Sequence, residues 1–270
     1  MEAVLVLLSA LAFIAFLIVP GNKRNYFAAA GWIFVVFSLI TDIPFYISEE
    51  NNFLYPLLGI LGLPFLYVTI PELISGNKHV VCLSRGAAIA FLIYFPFGYI
   101  PQAGDFLIAC VTSQVYEAGA FLGLSYSQIG WNMLEHDGFR VEIILACTGI
   151  QSIAIMLGLA YSLPTTLKQK ILSFLLIVPV IYILNIFRNV FVVSAYTGQW
   201  FQYLPEIASN GEYGYESFFW SHNVMAELGA LIFLIILALG LFRIIPQLGD
   251  FADGVIKLYM EKLRGACKGK

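Results

Sequence analysis

The sequence predicts an all-α polytopic membrane protein, and three observations lead there. Of its 270 residues, 60% are hydrophobic and only 11% are charged, with a mean hydropathy of +0.85. The 14 basic and 17 acidic side chains cannot cover the surface of a soluble domain of this size. The apolar residues also gather into stretches of spanning length, and the basic residues sort to one side of them. The net charge of −3 is too small to imply nucleic-acid binding, and no halophile-like acidic surface is present.

A spanning helix needs about 20 mostly apolar residues, because ~30 Å of hydrocarbon is crossed at 1.5 Å per residue. About seven stretches qualify: 3–20, 26–47, 55–74, 84–101, 143–163, 171–195 and 222–243. The first is expected to be a retained helix rather than a secretory signal. Met1-Glu2-Ala3 is no basic n-region, and Ile18-Val19-Pro20-Gly21 is a poor cleavage site.

Lys and Arg near helix ends are held on the cytoplasmic side. Lys23 and Arg24, Lys78 and Arg85, Lys168 and Lys170, and Arg243 with Lys257, Lys262, Arg264, Lys268 and Lys270 all fall on one side if the N-terminus is outside and the C-terminus inside. The opposite loops carry Glu49, Glu50, Asp105, Glu135, Asp137, Glu206, Glu212 and Glu216 without a lysine. Only Arg140 and Arg188 break the rule.

Between the spans, residues 103–142 predict an outer interfacial helix plus a cap. The loop 196–221 is rich in aromatics, and reads either as an interfacial belt or as a surface that grips a substrate. Phe251, Val255, Ile256, Tyr259 and Leu263 recur at helical spacing among charges, which predicts that the tail 246–270 forms an amphipathic helix on the inner leaflet. Gly59-x-x-Gly62 and Gly119-x-x-x-Gly123 read as close-packing devices. Without repeat, low-complexity tract or linker, residues 1–270 are expected to form a single integral membrane domain.

Reactive and ionisable groups inside a bilayer are expensive enough to carry functional hypotheses. Cys147 is expected one turn into the fifth span, Arg188 near the outer end of the sixth, and His222 at the outer entrance of the seventh. A thiol, a guanidinium and an imidazole thus reach a similar depth. A thiolate is the nucleophile, and free cysteine is mostly protonated at neutral pH. An imidazole can take that proton and return it to a leaving amine. A guanidinium keeps its charge, so Arg188 is suited to stabilise the thiolate or an oxyanion rather than to act as base.

Each residue also has a plainer reading: Cys147 as apolar filler, Arg188 snorkelling to headgroups, His222 as an interfacial hydrogen-bonding group. Cys82 and Cys267 fall on the inner side, and Cys110 has no His or Arg beside it. The four cysteines lie too far apart for a zinc ribbon or a dense disulfide framework, and neither metal nor cofactor is expected. Asp42, Glu72 and Glu227 are the intramembrane acids, and Glu227 is placed to pair with Arg188 or orient His222. His79 and His136 read as ordinary loop residues.

Ala146-Cys147-Thr148-Gly149-Ile150-Gln151-Ser152, Asn185-Ile186-Phe187-Arg188-Asn189 and Ser221-His222-Asn223, in that order, resemble the exosortase/archaeosortase family, the first motif its archaeosortase A branch in particular. The resemblance covers about residues 85–245. It implies a sortase-like transpeptidase of the cell membrane with its active site at the outer face. Its partners would be exported proteins whose C-terminal signal is a short motif (Pro-Gly-Phe type), a hydrophobic helix and a basic tail. Cleavage through a thioester would transfer the new C-terminus to a membrane lipid acceptor. The resemblance makes Cys147 the nucleophile, Arg188 the charge stabiliser and His222 the third member; family members can carry Arg or Asn at that third position. If His222 is not the base, Glu142 or Glu227 come into consideration. Two other readings stand beside this one: a transporter or channel component using Asp42, Glu72, Glu227 and Arg188, and an assembly scaffold using the aromatic loop.

Overall fold

A computed structural model describes residues 2–48, 54–209 and 211–267; Met1, Glu49, Glu50, Lys268 and Lys270 of the sequence reading lie outside the described residues. The helices are α1 (Glu2–Ile18), α2 (Arg24–Thr41), α3 (Ile43–Ser48), α4 (Leu54–Ile74), α5 (Lys78–Tyr99), α6 (Pro101–Phe121), α7 (Ile150–Tyr161), α8 (Leu167–Thr197), α9 (Pro205–Ala208), α10 (Tyr215–Phe218), α11 (Glu227–Ile244) and α12 (Gln247–Cys267). A 3-10 turn, Leu145–Thr148, precedes α7, and a π-helical segment, Phe219–Ala226, joins α10 to α11.

Five helices are long and apolar enough to cross a membrane: Arg24–Thr41, Pro56–Ile74, Lys78–Tyr99, Leu167–Thr197 and Tyr215–Ile244. Val4–Ile18 and Ile150–Tyr161 are apolar but shorter. The chain is therefore an all-α polytopic membrane protein. It departs from the sequence reading at 143–163, where one spanning helix was expected. The α-helix there has 12 residues, about 18 Å at the usual rise. Gly149 takes φ +77°, which an α-helix cannot continue through, so Leu145–Thr148 turns separately.

The chain folds as two compact units, residues 1–95, 157–170 and 245–270 forming one and residues 96–156 and 171–244 the other. The first is a regular helical body. Its core joins Phe13 and Phe16 of α1, Ala28 and Ala29 of α2, Leu73, Val80 and Ala88. Trp32 meets Phe13 edge-on at 5.8 Å and donates its indole N–H to Ser84 Oγ at 2.9 Å. Gly62 lets α4 approach α2 closely, since a Cβ there would stand 2.7 Å from Val36 Cγ1. The tail helix α12 forms as the periodicity predicts. Phe251 is buried, and Tyr259 stacks on Phe65 at 5.8 Å while hydrogen-bonding Thr69 at 2.6 Å. Ile256, Met260 and Leu263 keep an exposed apolar edge.

The second unit holds the irregular backbone. Ile108, Val111 and Val115 of α6 pack with Ile186, Val190 and Val193 of α8, and with Leu134 and Val141 from a small sheet. That sheet is the expected cap over 103–142: β1 (Ser127–Gln128), β2 (Met133–His136) and β3 (Phe139–Glu142), antiparallel in that order. Asp137 and Gly138, at φ 49° and 83°, make the left-handed turn that a tight hairpin between β2 and β3 requires. The register pairs Leu134 with Val141, both inward, and Glu135 with Arg140, whose side chains form an ion pair at 3.5 Å. Arg140, one of the two sidedness exceptions, is thereby neutralised. Tyr126 fills the space over Gly119 and donates to Val115 O at 2.9 Å, and burial pushes its phenol up to about 12.

Candidate active site

α8 organises the site. Asn185 and Asn189 lie one turn apart on the same helix face and both are buried. Each donates its amide Nδ2 to the carbonyl oxygen of Cys147, at 2.6 Å and 2.7 Å. Both lone pairs of that carbonyl are thus occupied, and the 3-10 turn is fastened to α8 at the residue that bears the thiol. Thr148 Oγ1 closes the turn on Leu145 O at 2.7 Å. Gly149 follows with its left-handed φ, and a Cβ there would lie 3.2 Å from Asn185 Cγ. Glycine serves both needs at once: the backbone angle and the close approach. Cys147 itself is a free thiol of intermediate exposure, packed against the cluster of α6, sheet and α8. It sits ahead of α7, not within it as the sequence predicted.

Arg188 lies about 60° around the helix from Asn185, so it leaves α8 on a neighbouring side. Its Nη2 meets His222 Nε2 at 3.2 Å. A guanidinium has only donors, so Nε2 accepts, and the ring proton sits on Nδ1. Nδ1 faces Asn223 Oδ1 at 2.7 Å, which fits that tautomer. Phe218 stacks on the ring at 4.8 Å with planes 11° apart. His222 is not at the entrance of its helix but within the π-helical segment, inside a helical run that begins at Tyr215. Such segments widen a helix locally and recur at functional sites.

The structure thus brings Arg188 and His222 into direct contact and ties the Cys147 backbone to the helix that carries Arg188. Among the described residues Arg188 forms no ion pair. Glu227, which the sequence offered as its partner, is exposed, and Asn223 orients the imidazole instead. Glu142 lies exposed on β3 and accepts from Asn132 Nδ2 at 2.9 Å. Glu72 is paired with Lys262 at 2.7 Å. The aromatic loop packs largely on itself: Phe139 of β3 meets Tyr196 at 5.4 Å, and Tyr196 meets Phe218 at 5.4 Å. Through Phe218 the cap is linked to the imidazole.

The sequence reading passed over the roles of Asn185 and Asn189, although both stand in the Asn-Ile-Phe-Arg-Asn motif. Their signal was available: two amides four residues apart in an apolar helix share one face and need a buried acceptor.

The family model described as Transmembrane exosortase (Exosortase_EpsH) matches residues 3–219. The chain belongs to the transmembrane exosortase family. Archaeosortase A of Natronomonas pharaonis is 28% identical over 253 residues, covering 87% of this chain and 80% of that protein. Archaeosortase A of Haloferax volcanii is 24% identical over 276 residues, covering 92% and 90%. No solved structure matches. The match to exosortases takes in Cys147 and Arg188 and ends before His222, the position at which the resemblance itself allows other residues.

Proposed function

We propose that this protein is a membrane-embedded cysteine transpeptidase with Cys147 as nucleophile, Arg188 as charge stabiliser and His222 as acid and base. It removes the C-terminal sorting signal of exported proteins, of the Pro-Gly-Phe, apolar helix and basic tail type, and passes the new C-terminus to a membrane lipid. The observation that carries the reading is the pair of amides that hold the Cys147 carbonyl one step from an arginine without an anion. An uncompensated guanidinium in an apolar helix is costly unless an anion forms beside it during the reaction. The charge sidedness puts this end of α8 at the outer face, where an exported substrate would present its motif.

In the resting arrangement the Arg188 bond occupies His222 Nε2. Attack by Cys147 Sγ on the scissile carbonyl carbon makes an oxyanion that draws the guanidinium and frees Nε2, which takes the thiol proton. Collapse breaks the C–N bond, His222 returns the proton to the leaving amine, and the tail helix departs from a thioester. A lipid headgroup amine or hydroxyl then attacks the thioester carbon. Its proton passes by His222 to the departing Cys147 thiolate, and an amide or ester is left on the lipid. Each donor placed on such an oxyanion is worth roughly 10²–10³ in rate.

A solute pathway draws less support, because its acids are dispersed: Glu72 is ion-paired, Glu227 is exposed and Asp42 caps the end of α2. The test of the transpeptidase is Cys147→Ala in cells exporting a protein with the tripartite tail. The variant should insert normally and accumulate unprocessed substrate; normal processing would contradict the proposal.

A further inference from the structure

Beside Arg188 runs a cavity of about 410 Å³, walled by α8, the π-helical segment and α11, with Gly149 and Ser152 at its edge. α8 and α11 are antiparallel, since Arg188 meets His222 at one level and Leu176 lies against Gly240 at another. The polar groups Asn185, Arg188 and Ser152 therefore gather toward one end, and Ile181, Phe233, Leu234 and Leu237 line the other. From Met225 to Leu237 the wall on α11 is about 18 Å long at 1.5 Å per residue.

The dimensions select the occupant. A peptide helix with its side chains is about 10 Å across, so 18 Å of it fills on the order of 1,400 Å³. The cavity holds less than a third of that. Spread over the same length, its section averages about 23 Å², the width of one hydrocarbon chain. At the polar end stands a guanidinium with a single described hydrogen bond and no ion pair among the described residues, leaving N–H donors for an anion. An apolar channel of one-chain width headed by an unneutralised cation matches a phospholipid chain with its phosphodiester, and does not match the apolar helix of a protein tail.

We propose that this cavity seats one hydrocarbon chain of the acceptor phospholipid, with the phosphodiester on Arg188. The inference rests on the transpeptidase reading for the word acceptor, though not for the binding itself. It divides the two substrates: the protein tail occupies a different surface, while the lipid is held with its headgroup beside the Cys147 turn. Gly229 is the gate residue. It lines the cavity, and a Cβ there would meet nothing within 4 Å, so a side chain at 229 enters empty space.

The test is photolabelling of the full chain in phosphatidylcholine nanodiscs doped with a phosphatidylglycerol that carries a diazirine at mid-chain. Labels should concentrate on residues 181–191 and 225–237. A diacylglycerol with the same diazirine, lacking the phosphate, should label these segments at least about tenfold less, the loss of a charge-assisted contact. Gly229→Phe and Gly229→Leu should each suppress the labelling, and both should keep the helix, since leaving glycine raises helix propensity. Cys147→Ala should label as the unaltered protein does. Labels spread evenly over the lipid-facing side of α11, at Leu231, Ile235 and Ile236, and unaffected by either Gly229 variant would overturn the inference, as would cross-linking of a synthetic apolar helix into the cavity. The two proposals fail separately. Processing that survives in Cys147→Ala with labelling intact removes the transpeptidase and keeps the lipid seat; loss of processing without cavity labelling does the reverse.

Discussion

Two cations set into apolar helical surroundings meet opposite fates in this molecule. Lys262, on the tail helix of the first unit, reaches Glu72 at 2.7 Å, and Asn77 Nδ2 donates to the other carboxylate oxygen at 2.8 Å. That charge is answered, and the pair reads as structure. Arg188, in the second unit, faces a neutral acceptor, the Nε2 of His222. Arg140, the other basic residue on the unexpected side, is answered by Glu135. The difference teaches where to look for chemistry: a protein that has carboxylates to spare for its other membrane-side cations leaves one guanidinium without an anion, beside a cysteine whose backbone is clamped. The same contrast holds for the backbone. The first unit is regular helix, while the 3-10 turn, the π-helical segment, the sheet and the left-handed Gly149 all lie in the second.

Substitutions can break this contrast or sharpen it. Arg188→Gln should lower processing by roughly 10²–10³ without lowering Tm, because it removes an unneutralised charge; a drop in Tm would mean that Arg188 is structural after all. His222→Asn keeps an acceptor for the guanidinium but cannot carry a proton, and should cost about 10²-fold in processing rate. Retention within about threefold would instead assign the ring to holding Arg188 alone. Asn185→Ala and Asn189→Ala should each cost about 1 kcal/mol of stability. Together they should slow processing more than their separate effects multiply to, since either amide alone still anchors the Cys147 carbonyl. Gly149→Ala should destabilise by about 1–2 kcal/mol through its left-handed φ, with a loss of rate that follows the displaced turn. Lys262→Met should do the opposite of Arg188→Gln: a lower Tm in thermal unfolding, with processing by the folded fraction unchanged.

Much of the fold was legible because hydropathy and charge act along the chain. The long helices and the amphipathic tail follow from apolar run length and periodicity. Where the reading failed, short-range geometry overrode composition. Residues 143–163 are apolar enough for a span, yet Gly149 at φ +77° divides them. The sheet over 127–142 is too short to show in hydropathy, although Asp137-Gly138 is a hairpin signal that a search for spans passes over. For the site, Cys147, Arg188 and His222 stood out because reactive groups are rare in apolar helices. Asn185 and Asn189 did not, because an amide in an apolar helix announces a buried partner without saying which. Nor could sequence show that His222 sits in a π-helical segment, or that Asn223 rather than Glu227 holds its ring: side-chain direction after a local change of helical pitch is a tertiary property.

The central claim is that Cys147 carries the substrate covalently. Its most direct measurement is intact-mass analysis of the full chain incubated with a peptide that bears the tripartite tail, quenched with acid and, in parallel, with neutral hydroxylamine. The account predicts an adduct on Cys147 equal to the substrate without its tail, released by hydroxylamine and absent from Cys147→Ala. Processed peptide formed with no hydroxylamine-sensitive adduct, or an adduct that maps to Cys82 or Cys110, would contradict it.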